Sequence, residues 1–254
     1  MDRTIVKQAA LIGDSGAQLL MGFMYEVGYG VATDHAEALS WYSKAAEAGS
    51  TIAQYVLGVR LSEQVGSSKN DIAQLMARAA ERGLVAAQEY LAGCYDFGIG
   101  TPADSSLAMD WYVKAAKGGS SVAASRLAQL FDTGTYVAKN SDEAVMWYKR
   151  AADLGNASAA LMLALRYERD TSDPSHKSSA VYWFQRAADL GDSHGHERLM
   201  DGYEKGLMGL PKDTERVRFH SEMMGRCRQK EKELRAARRE ELLSLIQEQK
   251  DNDS

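Results

Sequence analysis

The chain reads as an all-α protein, an α/α solenoid of tandem helix pairs. Three observations predict it. First, a nine-residue block returns as WYSKAAEAG at 41–49, WYVKAAKGG at 111–119, WYKRAADLG at 147–155 and WFQRAADLG at 183–191. Second, the glycine that closes each block recurs in a wider register, at Gly13, Gly49, Gly83, Gly119, Gly155, Gly191 and Gly225, at intervals of 34 or 36 residues. Third, only 3 prolines interrupt 254 residues, so helices can run unbroken and a loop-rich fold is disfavoured.

Residues 1–12 open the chain as a second helix without its first. Ile5, Ala9, Ala10 and Gly13 match Trp41, Ala45, Ala46 and Gly49, which predicts an N-terminal capping helix. From 13 to 225 each unit carries two helices. In the first, Ala17, Met21 and Tyr25 lie four apart beside Gly22. Ala87, Leu91, Ala92 and Tyr95 repeat the set, as do Ala123, Leu127, Ala128 and Phe131, and then Ala159, Leu163, Ala164 and Tyr167. Small residues let helices approach, and the aromatics fill the space between pairs. In the second helix, Ala38, Trp41, Tyr42, Ala45 and Gly49 share one face. Asp34 with Glu37, and Asn140 with Glu143, have capping-box spacing, and the closing glycine suits a helix C-terminus. Leu75 and Val217 hold the Trp position in the degenerate copies. A helix pair cannot bury its apolar face alone, so the block repeats because each copy needs the next.

The pattern Met21-Gly22-x-x-Tyr25-x-x-Gly28-x-Gly30, followed by Asp34, Ala38, Trp41-Tyr42 and Lys44-Ala45-Ala46-x-x-Gly49, closely resembles the Sel-one-like repeat, a relative of the tetratricopeptide repeat. The resemblance covers 13–225 as six units and implies a right-handed α/α superhelix. The Gly-x-Gly loop returns at Gly98 and Gly100 and decays to Gly134 and Tyr136. The second unit lacks both aromatics, with Leu61 and Leu75 in their places. The fifth replaces its loop glycines with ERDTSDPSH, and the sixth has Gly195 and Met200 at anchor positions.

After Gly225 the repeat stops. Residues 226–250 are rich in helix formers, with seven basic and two acidic residues between Arg226 and Arg239, and with Leu234, Leu242, Leu245 and Ile246 as an interrupted apolar stripe. This segment is expected to be a charged C-terminal capping helix with a solvated basic face. An arm that binds a partner or drives self-association is the alternative. No sustained heptad supports a coiled coil. Residues 251–254 are expected to fray.

The net charge of -5 argues against a general nucleic-acid binder, although the basic C-terminal segment keeps that reading alive. No stretch reaches the length of a membrane span, and none has the form of a signal-peptide core, so a cytoplasmic location is expected. Cys94 and Cys227 make no disulfide framework. His194 and His196 stand two apart, so they do not share a helix face as metal ligands would, and His35, His176 and His220 read as surface or cap residues. Cys94 beside Tyr95 reads as a small buried residue. No phosphate-binding loop, nucleophile elbow or dinucleotide fingerprint occurs, so no cofactor, metal or catalytic group is expected.

The packing positions of each first helix leave an opposite face at three, six, ten and thirteen residues past the closing glycine. In the tetratricopeptide superfamily that face lines a concave groove, and the resemblance implies a non-catalytic scaffold or adaptor that binds another protein there. Some bacterial relatives neutralise or chaperone secreted proteins. Enzymatic action on peptides or cell-wall fragments belongs to cysteine-rich relatives, whose paired cysteines this chain lacks. The thirteenth position holds Glu26, Ser62, Asp96, Asp132, Glu168 and Glu204. Carboxylates there oppose the helix dipole. They are explained either by bonding within the repeat array or as an acidic ladder for a basic partner segment. Leu19, Phe23, Tyr55 and Val59, with Leu161 and Leu165 in the fifth unit, are candidate apolar anchors unless neighbouring repeats cover them. Charge reversal at Asp96 and Asp132 is expected to weaken partner binding without unfolding the chain.

Overall fold

A computed structural model describes residues 3–252, except for the side chains of residue 238 and of 241–252. Among the described residues there are thirteen helices and no strand. The chain divides into two compact bodies, Met1–Ser141 and Asp142–Ser254.

The first body contains α1 (Arg3–Leu11), α2 (Ser15–Val27), α3 (His35–Glu47), α4 (Thr51–Glu63), α5 (Lys69–Glu81), α6 (Val85–Phe97), α7 (Ser105–Lys117) and α8 (Ser121–Thr133). Each helix packs against the next in sequence. Local chemistry sets the boundaries. The Asp14, Ser50 and Ser120 side chains accept from the backbone N–H groups of Ala17, Ala53 and Ala123, and Asp34 accepts from Glu37 at 3.0 Å. Gly49 terminates α3 in the left-handed region at φ +88°. There the Ser50 N–H reaches back to the Ala45 carbonyl at 2.9 Å, which satisfies a carbonyl the helix leaves open.

The core follows the predicted face. Ala38, Tyr42, Ala45, Ala46, Ala53 and Leu57 form one buried cluster. Ile72, Met76, Ala79, Leu91 and Cys94 belong to the next. A buried glutamine recurs five residues past the closing glycine. The Gln18, Gln54 and Gln88 amides donate to the carbonyls of Ala10, Ala46 and Ala80 at 3.1–3.2 Å. These bonds tie each first helix to the second helix of the preceding pair.

The second body contains α9 (Ser141–Asp153), α10 (Ala157–Arg169), α11 (Ser175–Asp189), α12 (Ser193–Lys205) and α13 (Thr214–Asn252). Helix α10 ends ahead of Pro174, as the fifth unit's sequence requires. At Gly195, α12 comes unusually close to α11. A Cβ there would lie 2.7 Å from the Ala188 nitrogen and 2.8 Å from the Phe184 carbonyl oxygen. Gly195→Ala is therefore expected to destabilise this body by about 1–3 kcal/mol through overpacking, although alanine is the better helix former. The loss should appear in thermal unfolding and as faster amide exchange in α11 and α12.

The sixth unit departs from the predicted register. Gly225 does not end a helix. It lies inside α13, a single helix of 39 residues, so 226–250 is not a separate element. The Asp213 side chain accepts from the N–H groups of Glu215 and Arg216 at 3.0 Å. Its own N–H bonds the Tyr203 carbonyl, as Asp34 bonds Tyr25, Asp104 bonds Tyr95 and Asn140 bonds Phe131. Aligned on those residues, His220 occupies the place of Trp41, Trp111 and Trp147, and Val217 that of Ala38. The loop before Asp213 is one residue longer than the loop before Asp34, which shifts the repeat. Residues 251 and 252 belong to α13, whereas 253–254, the rest of the expected frayed tail, lie outside the described residues. So do the side chains of Leu242, Leu245 and Ile246 in the predicted stripe.

Candidate functional site

Three of the acidic thirteenth positions have an internal explanation. In the first body, Glu26 accepts the Tyr42 hydroxyl and pairs with Arg60 of α4. Asp96 is gripped more fully, with its side chain 0% exposed. Its Oδ2 accepts the Tyr112 hydroxyl at 2.9 Å and the Arg126 Nε–H at 2.9 Å, with Arg126 Nη2 at 2.8 Å. Its Oδ1 accepts the Tyr136 hydroxyl at 2.8 Å. In the second body, Glu168 pairs with Arg198 of α12. Each acid therefore sits between its own helix pair and the next first helix, and these charge-assisted bonds outweigh the unfavourable dipole. Burial first, and then the carboxylate, pushes the Tyr42 and Tyr112 hydroxyls above the ordinary phenol range.

This corrects the expectation that charge reversal at Asp96 would leave the fold intact. A lysine there would place a cation beside Arg126 in a site closed to water. Asp132 is half-buried and has an interaction partner of its own. Glu204 in the second body is exposed.

The apolar candidates divide differently. Leu19 is half-buried against the cluster of α3 and α4, and Tyr55 and Val59 lean on that of α5 and α6. Phe23 is 51% exposed, one turn beyond Leu19 on the same face of α2. Ile52, not singled out in the sequence, is exposed and shares the face of α4 with Tyr55 and Val59. Arg60 joins the two helices by its pair with Glu26. The face of α2 and α4 thus offers a ring and aliphatic groups to solvent, rimmed by a neutralised ion pair. In the second body Leu161 and Leu165 are half-buried on α10.

His220 is also corrected, being 1% exposed and bonded to His196 rather than lying on the surface. His35 is exposed at the start of α3, and His176 lies 3.3 Å from Asp170. Among the described residues no three His, Cys, Asp or Glu side chains gather as a metal site. Burial pushes the Cys94 thiol up to about 11, which keeps it protonated and unreactive at neutral pH. No described helix is long and apolar enough to cross a membrane.

The Sel1 repeat signature matches residues 15–50, 85–120, 121–156, 157–192 and 199–216. The chain belongs to the Sel1 repeat family. A Sel1 repeat protein from Oxalobacter formigenes is 29% identical with a TM-score of 0.71, covering 85% of this chain and 89% of its own. A protective antigen of uropathogenic Escherichia coli with this fold is 26% identical with a TM-score of 0.62, covering 87% and 56%. Chitin synthase regulatory factor 3 of Schizosaccharomyces pombe is 35% identical over 119 residues. That match spans 44% of this chain and 12% of the yeast protein. Sel1 repeat proteins generally mediate protein–protein interactions and are generally non-catalytic.

Proposed function

We propose that the protein is a non-catalytic scaffold that holds a segment of another protein on the exposed face of α2 and α4. The observation that carries this reading is the half-exposed Phe23 one turn from Leu19 on α2, with Ile52, Tyr55 and Val59 on one face of α4, the helix that Arg60 ties to α2 through Glu26. An aromatic surface on a rigid helix immobilises little entropy when it is covered, and such residues dominate binding energy. The occupant presents large apolar side chains to this face. Its basic residues reach Glu26 only by competing with Arg60, so charge orients the segment while apolar burial holds it. Glu168 with Leu165, and Glu204, are secondary positions in the second body. Regulation of an enzyme, as in the name of the yeast relative, is one role such a scaffold can take.

The test uses a photo-reactive phenylalanine analogue at position 23 to capture the occupant, which is then purified. Phe23→Ala should weaken its binding at least tenfold, about 1.4 kcal/mol, with helicity and melting unchanged, and Tyr55→Ala should weaken it as much while also loosening the packing of α4 on the α5–α6 cluster. Val65→Ala, at an exposed position in the loop after α4, should bind like the unaltered chain. Equal affinity for all three variants would remove the site from α2 and α4.

A further inference from the structure

The sixth unit replaces an ordinary structural pair with a titratable one. Five residues past the closing glycine, where Gln18, Gln54 and Gln88 stand, α12 carries His196. At the position of Trp41, α13 carries His220. The two rings meet between α12 and α13 with their Nδ1 atoms 3.0 Å apart, and they are 2% and 1% exposed. His220 is the one fully buried residue among the described side chains of α13. Val217, Met223, Met224 and Cys227 around it are only half-buried. Tyr203 stacks on the His220 ring and Phe219 meets it edge-on.

A 3.0 Å Nδ1 to Nδ1 contact holds one proton, with one ring donating and the other accepting, and burial of both rings favours their neutral forms. Both Nε2 atoms are buried without a partner. An added proton either sets two N–H groups against each other or leaves a cation away from water. We propose that His196 and His220 form a pH-sensitive latch, which holds α13 on α12 while both rings are neutral and releases it on acidification.

The charged surroundings set its range. Burial lowers the His196 pKa against the opposing pull of Asp189 on α11 and Asp192 at the start of α12. Burial, then His196 and Arg216 on α13, lower His220 to about 4, with Asp189 opposing. The released rings titrate near the ordinary 6.5 and so bind more protons than the docked rings below that pH. Docking is therefore complete above about pH 6.5 and is lost as pH falls toward 4. His220 alone shifts the docking equilibrium by about twentyfold between pH 7 and pH 5.

The test compares the full chain with His196→Gln/His220→Trp, which writes the glutamine and tryptophan of the first unit into the sixth. Amide exchange, corrected for its intrinsic pH dependence, is followed over residues 217–227. Protection in the unaltered chain should fall more than tenfold from pH 7 to pH 5, and in the double variant less than twofold. Unchanged protection in the unaltered chain, or an equal loss in the variant, overturns the latch. Should the variant fail to fold, imidazole nitrogen spectra of the unaltered chain decide the matter. The expected result is that both rings stay neutral at pH 6 and charge together with the loss of protection. A ring already charged at pH 6 with α13 still protected refutes the proposal.

Discussion

Asp96→Ala should cost about 3–5 kcal/mol of local stability, because it leaves the partly buried Arg126 guanidinium without its counter-charge. It also strips the Tyr112 and Tyr136 hydroxyls of their acceptor. Asp96→Asn, which keeps an oxygen but loses the charge, should cost less. Tandem repeats unfold as neighbouring pieces rather than as one unit, so a single melting temperature understates the effect. The sharper measurement is amide exchange, which should quicken across α6, α7 and α8 while α2 and α3 keep their protection. A uniform change through the chain, or none, would mean that the carboxylate is not the clasp its geometry indicates.

Gly100→Ala should be comparably damaging for a different reason. Gly100 has φ +71°, where a side chain is strained. A Cβ there would also overlap the Lys69 carbonyl oxygen and lie 3.0 Å from the Asn70 nitrogen. Both obstacles are backbone, so no rotamer change relieves them. The α6–α7 loop would have to lift from the start of α5, breaking the bond from the Asn70 amide to the Gly100 carbonyl. A loss of about 3 kcal/mol or more is expected, since strain and overpacking add. Urea unfolding followed by circular dichroism checks it, with Gly66→Ala as control. Gly66 has a similar backbone, φ +90°, but open space around it, so only the strain component should remain.

The repeat was legible because its signals are periodic and local. Gly49 needs a left-handed backbone, and Ala45 and Ala46 must be small where helices touch, so every sound copy restates them. The sixth unit misled for the same reason. Gly225 falls at a permitted interval, but the one-residue longer loop before Asp213 moves the true register past it. The acids at Glu26, Asp96 and Glu168 were visible, but their partners were not. Arg60 stands eleven residues past its closing glycine, whereas Arg126 and Arg198 stand seven past theirs, so no single spacing reveals the clasp. Tyr136 was hidden too, because it occupies a position where Gly30 and Gly100 signal only a turn. The His196–His220 contact spans 24 residues across two helices, and neither side chain looks unusual alone.

The unbroken course of α13 has a mechanical consequence. From Cys227 to Asn252 it runs for about 37 Å at 1.5 Å per residue. The helix is a rod with its fulcrum at His220. A tilt of about 10° at that fulcrum, with about 48 Å of helix between His220 and Asn252, would sweep the far end through roughly 8 Å, more than one helical pitch. A small adjustment beside two imidazole rings is thus geared up, by the stiffness of hydrogen-bonded backbone alone, into a displacement large enough to change what the far end can reach.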